Sequence, residues 1–136
     1  MKVIPDTSVY IPFINKGIAY PVFEMKTRPL LYMSAVVLEE LYAGAFDKVS
    51  VKLLDRIYRT FKDTGRLIVP DADDWQKSGR IVAKLGEKYG FEDKFLSKLL
   101  NDILIALSAR RIGAFLVTLN LKDFLRIKEF LNFKML

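Results

Sequence analysis

The sequence predicts an α/β protein with three layers, α/β/α, around a central, mainly parallel sheet. Two observations carry that expectation. Short apolar runs at residues 1–5, 30–33, 67–69 and 114–118 are bounded by polar or turn-forming residues, and between them lie longer stretches with apolar residues at helical spacing. Strands that alternate with helices pair in parallel, because each helix carries the chain back to the starting edge of the sheet. At 136 residues the chain suits one domain, taken as 1–136, long enough to bury a core.

The run 1–5, MKVIP, is the first strand, and Asp6-Thr7-Ser8 leads into a helix that starts near Val9. The hydroxyl of Thr7 or Ser8 can cap that helix. Asp6, at the carboxyl end of the strand, reads equally well as the cap or as a functional carboxylate. Residues 20–26 suit a short second helix with Pro21 in its first turn, and 30–33 a second strand. Ser34 can cap the next helix, whose stripe is Val37, Leu38 and Leu41. Glu39 and Glu40 lie about 100° apart on it, so only one can face the sheet. Gly44 shares Glu40's face and would admit a close neighbour.

Residues 49–61 form an amphipathic helix through Leu53, Leu54, Ile57, Tyr58 and Phe61, stopping at Thr64-Gly65, with Arg56, Arg59 and Lys62 on its solvated side. Asp71, Asp73 and Asp74 open the following helix. Negative charge at a helix N-terminus accounts for them, and their spacing lacks the glycine and distal glutamate of a calcium loop. Trp75, Ile81, Val82, Leu85 and Tyr89 should form that helix's core face up to Gly90. The stretch 99–124 reads as a helix, a turn at Gly113, a buried strand at 114–118 and a polar loop. A further helix over 125–131 and an edge strand over 133–136 complete the chain.

Composition excludes much chemistry. The chain has no cysteine and no histidine. Disulfides, the usual zinc sites and histidine-activated nucleophiles are therefore ruled out, leaving carboxylates, hydroxyls, Lys and Arg, with hard cations held by oxygen. No uncharged run exceeds ten residues, against about 18–20 for a membrane span. Without a signal-peptide pattern at the N-terminus, a cytoplasmic setting is expected, with no membrane partner. The net charge of +6 favours an anionic partner.

One residue stands out within 99–124. Asp102 is the only charge between Leu99 and Ala109, and burying a lone carboxylate is costly unless it is paired, protonated or bound to metal. In a parallel sheet, Asp6 and Asn120 fall at carboxyl ends of strands, and the helices bearing Glu40 and Asp102 adjoin that edge. Two carboxylates about 5 Å apart repel by roughly 3 kcal/mol at an effective dielectric near 20. A cluster of three needs a cation or a proton, and Mg²⁺ or Mn²⁺ is the consistent occupant. Such ions bridge phosphate oxygens and lower the pKa of bound water.

The segments DTSVYI, EELYAG, NDILIALSAR and LVTLNLKDF, in this order, resemble the PIN-domain nucleases, especially the VapC-type toxins of prokaryotic toxin–antitoxin pairs. The resemblance runs from Val3 to Phe124. It implies a metal-dependent endoribonuclease, a homodimer neutralised by a cognate antitoxin, acting on RNA. By position it assigns Asp6, Glu40 and Asp102 as metal-holding and catalytic acids, with Thr118 as the hydroxyl residue ending the fourth strand. Where the family often has an aspartate two residues later, this chain has Asn120, and Asp123 is the nearest carboxylate. Asn120 is therefore expected at the metal and Asp123 among the catalytic acids, with Thr7, Ser8 and Thr118 as supporting hydroxyls. The alternative is a PIN-like domain that binds RNA or protein without cutting. A phosphatase reading is weaker, because Ser8 stands where a second aspartate is needed.

Overall fold

The structure, a computed structural model, describes residues 1–17 and 29–136. The expected helix at 20–26 lies outside the described residues. The strands are β1 (Lys2–Pro5), β2 (Leu30–Leu31), β3 (Met33–Ser34), β4 (Leu67–Ile68), β5 (Phe115–Val117) and β6 (Lys134–Met135). The helices are α1 (Thr7–Lys16), α2 (Ala35–Ala43), α3 (Lys48–Asp63), α4 (Ala72–Tyr89), α5 (Asp93–Ile112) and α6 (Leu121–Ile127). A four-stranded parallel sheet of order β2-β1-β5-β6 forms the middle layer of an α/β/α arrangement.

The order of that sheet locates the site. From β1 the chain proceeds to β2 on one side, and from β5 to β6 on the other. Connections thus diverge at the carboxyl ends of β1 and β5, leaving a crevice between them, the switch point where open α/β sheets bind ligands. The two strands pair with Ile4 opposite Leu116 and Pro5 opposite Val117. Alternate side chains fill both faces: Val3 and Val117 meet Val9 of α1, whereas Ile4 and Leu116 join the main core.

Helix α5 is the spine of the core. Every residue from Asp102 to Ala109 is buried, as befits a helix apolar on most of its circumference. Gly113, at φ +67, ends it in the left-handed conformation that glycine adopts without steric cost. Helix α6 is fastened at its far end: Arg126 lies 5.0 Å from the ring centres of both Tyr89 and Phe91, and Glu129 accepts bonds from Tyr89 Oη and Lys88.

Several expectations are corrected. The strand at 30–33 is two strands, because Tyr32 is where the chain changes partners. Its N–H donates to Val3, while Met33 N–H donates to Arg66 and the Arg66 guanidinium holds the Leu31 carbonyl. β3 therefore pairs with β4 in a separate parallel pair. Helix α1 begins at Thr7 rather than Val9, with neither Thr7 nor Ser8 as cap, since both hydroxyls are committed to carboxylates. The segment after β5 is helical from Leu121 instead of a polar loop. Gly44 closes α2, and among the described residues only its own helix's carbonyls lie near it, so none of them makes the close approach expected there. Trp75 is 53% exposed, not part of the core. The inward stripe of α4 is Asp74, Ser78, Ile81 and Leu85, which turns Trp75 outward by one position.

Other expectations hold. Ser34 caps α2 by accepting from Val36 N–H at 3.1 Å. Asp71 and Asp74 form a reciprocal capping box at the start of α4, and Arg111 from the end of α5 pairs with both. Asp71→Ala removes the cap and one of Arg111's partners, and should lower stability by about 1–2 kcal/mol. Urea denaturation checks this, and a loss within a few tenths of a kcal/mol would show that the box contributes little.

Candidate active site

Asp6 directly follows β1, and its N–H extends the ladder by donating to Val117 at 2.9 Å. Its carboxylate is turned to the crevice and accepts two hydroxyl bonds, from Ser8 Oγ to Oδ1 at 2.6 Å and from Thr118 Oγ1 to Oδ2 at 2.5 Å. Each hydroxyl has one proton, now spent on Asp6, and uses its lone pairs on the main chain beyond β5. Ser8 Oγ accepts from Leu119 N–H at 2.9 Å, and Thr118 Oγ1 accepts from Asn120 N–H at 2.8 Å. One carboxylate and two hydroxyls thereby lock the ends of β1 and β5 together.

Glu40 reaches the same crevice from α2, where Thr7 Oγ1 donates to its Oε1 at 2.6 Å. Glu39 is exposed, as the 100° offset requires. Asp102 enters from α5 at 7% exposure, and its buried Oδ2 has no hydrogen-bond partner among the described residues. Asp6, Thr7, Ser8, Ile11, Glu40, Lys98, Asp102 and Asn120 line a cavity of about 290 Å³. Asp123 does not line it. That carboxylate is buried behind Asn120, accepting from its Nδ2 at 2.9 Å, with Lys98 Nζ 4.0 Å away. Thr118 likewise stands behind Asp6.

Lys98 is the polar cavity residue that the sequence did not single out. The available signal was its spacing, since a residue four before Asp102 on a helix shares its face. Arg111, at the other end of α5, is committed to Asp71, Asp74 and the Val69 carbonyl.

Environment divides the acids. Burial raises the pKa of Asp6, and the bonds from Ser8 and Thr118 hold that rise in check. Asp102 lacks such donors. Burial, then repulsion from Glu40 and Asp6, pushes its pKa up to about 8, with Lys98 opposing. The orphaned oxygen and a donor set made only of oxygens fit a hard cation such as Mg²⁺ or Mn²⁺. Among the described residues no three carboxylates are gathered tightly enough to enclose an ion by themselves. They instead surround a cavity with room for water, which suits a cation that retains part of its hydration shell and takes one or two carboxylates directly.

The raised pKa fixes the sign of a pH effect in metal-free protein. Between about pH 4 and 8 the folded state holds a proton on Asp102 that the unfolded chain releases, so stability falls as pH rises through that window. Asp102→Asn should remove this part of the slope and stabilise the protein by on the order of a few kcal/mol at pH 8.5, with little effect at pH 4. Denaturant titrations in chelator at both pH values measure the difference. Parallel slopes for the two proteins would contradict the assignment.

A model of the PIN domain matches residues 3–129. Among solved structures the chain is similar to one in VapBC2 from Rickettsia felis bound to a promoter DNA fragment, with 26% identity and a TM-score of 0.64 over 93% of this chain and 92% of that one. It is also similar to a chain of DNA-bound VapBC from Salmonella typhimurium, at 24% identity and TM-score 0.64 over 93% and 92%. A chain of VapBC-1 from nontypeable Haemophilus influenzae shares 22% identity and a TM-score of 0.63 over 100% and 97%. No curated protein sequence matches. With the family model covering nearly the whole chain, this protein belongs to the PIN domain family.

Proposed function

We propose that the chain is a Mg²⁺- or Mn²⁺-dependent endoribonuclease and the toxin of a VapBC-type toxin–antitoxin pair. The observation that carries this reading is Asp102, a buried carboxyl with an oxygen that has no partner among the described residues, in a cavity shared with Asp6 and Glu40. Family membership and the likeness to VapBC chains support it.

Asp6, Glu40 and Asp102 would hold the ion, one or two of them directly and the others through its water, with the Asn120 carbonyl as a neutral fourth group. Bound there, the ion supplies Lewis acidity at a phosphodiester and lowers the pKa of adjacent water. The chain's own contribution is to orient the acids in advance: Thr7 fixes Glu40, Ser8 and Thr118 fix Asp6, and Asp123 fixes the Asn120 amide so that its oxygen is free to turn toward the cavity. Orientation before substrate arrives lowers the reorganisation needed in the transition state. The basic surface retains the RNA backbone through phosphate contacts that carry little sequence information. A cognate antitoxin would neutralise the enzyme, which acts as a homodimer in the cytoplasm.

A second reading, RNA or protein binding without cleavage, draws on the neutral Asn120 and on the open spacing of the acids.

Cleavage of single-stranded RNA with Mn²⁺, and its loss with chelator, separates the two. Asp102→Asn and Asp6→Asn should each lower cleavage by about 10²-fold or more while circular dichroism shows the fold intact. Glu40→Gln should impair cleavage, and Glu39→Gln should leave it unchanged. Unimpaired cleavage by the Asp102 variant, or a wild type that binds RNA and never cuts, would overturn the nuclease reading.

The fourth position has its own test. Asn120→Asp should lower the Mn²⁺ concentration needed for half-maximal cleavage, because it adds charge at the cavity wall. Loss of activity in Asp123→Asn alongside an active Asn120→Ala would instead place the charge requirement at Asp123.

A further inference from the structure

Resting on the proposed RNA-cleaving role, we infer that Lys98 is a substrate-contacting residue that holds a non-bridging oxygen of the RNA phosphate seated in the acidic cavity. The cavity wall presents Asp6, Glu40 and Asp102, and among its described lining residues Lys98 is the one cation. A phosphodiester entering such a space meets repulsion from every carboxylate that remains charged, so a fixed positive group on the wall adds attraction.

Position and bonding both fit that task. Lys98 precedes Asp102 by one helical turn on α5, so the two project from the same face. Its side chain is 60% exposed, and its only ion pair among the described residues is the 4.0 Å approach to Asp123 Oδ2. That distance is too long for a hydrogen bond, so the three ammonium donors stay available to an incoming oxygen. The oxygen that faces Lys98 is the same Oδ2 that accepts from Asn120 Nδ2 at 2.9 Å. Asp123 therefore orients Asn120 from behind by a hydrogen bond and leaves Lys98 in a long, weak ion pair. The alternative is that Lys98 does nothing but balance Asp123. A partly exposed pair at this separation is weak and held by no geometry.

The test measures equilibrium binding of a fluorescent single-stranded RNA to the full chain in chelator, which withholds the ion that the proposed cleavage needs, at low and at moderate salt. Lys98→Met should weaken binding several-fold in both and reduce the salt-dependence slope by about 0.7, the loss of one phosphate contact on a single strand. Lys98→Arg should retain most of the affinity. Lys84→Met, which removes an exposed lysine of α4, should change binding little. Binding by Lys98→Met equal to wild type, or a loss no greater than that of Lys84→Met, overturns the inference even if the wild type cleaves RNA. A wild type that binds but never cleaves, with affinity still dependent on Lys98, defeats the nuclease reading and leaves this contact standing. Absence of RNA binding by the wild type defeats both.

Discussion

The parallel pairing of β1 with β5 governs the remainder of this molecule. Three residues of register bring Pro5 beside Val117, and the ladder's last bond carries Asp6 to the sheet's carboxyl edge. There, backbone pairing gives way to side chains: Ser8 and Thr118 join Asp6 to the main chain at Leu119 and Asn120. This clasp serves as structure and as chemistry at once. It closes the strand ends against each other, and it supplies the hydrogen bonds that a buried carboxylate needs if it is to keep its charge. The divergence of connections at the same place leaves a crevice, and α2 and α5 bring their acids to it.

Within that crevice the carboxylates have unequal support. Asp6 has a donor on each oxygen and Glu40 has Thr7, whereas Asp102 has a buried oxygen that no described residue meets. Packing alone would place Leu or Ala at this point on α5, whose neighbours from Ile103 to Ala109 are all buried. A carboxyl buried there costs free energy unless a proton, cation or ammonium meets it. Asp123 belongs to a layer behind the cavity and accepts a hydrogen bond from Asn120.

The fold was legible because its signals are local. Apolar runs of strand length, amphipathic periods and caps such as Ser34 depend on near neighbours in the chain. Asp102 and Glu40 could also be singled out in the sequence, the first as a charge in an apolar run, the second by its angular offset from Glu39. Features that depend on distant partners were not readable. The Thr7 and Ser8 hydroxyls look like helix caps until Glu40 and Thr118 come near them. The strand at 30–33 looks continuous until Arg66 claims its second half. Trp75 reads as core because large aromatics usually are, yet a capping box and Arg111 set the rotation of α4 and leave the ring outside. Asn120 and Asp123 could not be ranked without the hydrogen bond between them, which shows that Asn120 faces the cavity and Asp123 supports it.

If a cation occupies the cavity as proposed, the Asp102 carboxyl, whose pKa burial pushes up to about 8, must give up its proton as the ion binds. Calorimetric titration with Mn²⁺ at pH 7, repeated in buffers of different ionisation enthalpy, counts the protons released on binding. With a pKa near 8, Asp102 should release close to one proton per ion bound, and Asp102→Asn should abolish that release. Mn²⁺ binding to the wild type with no proton released would contradict the account.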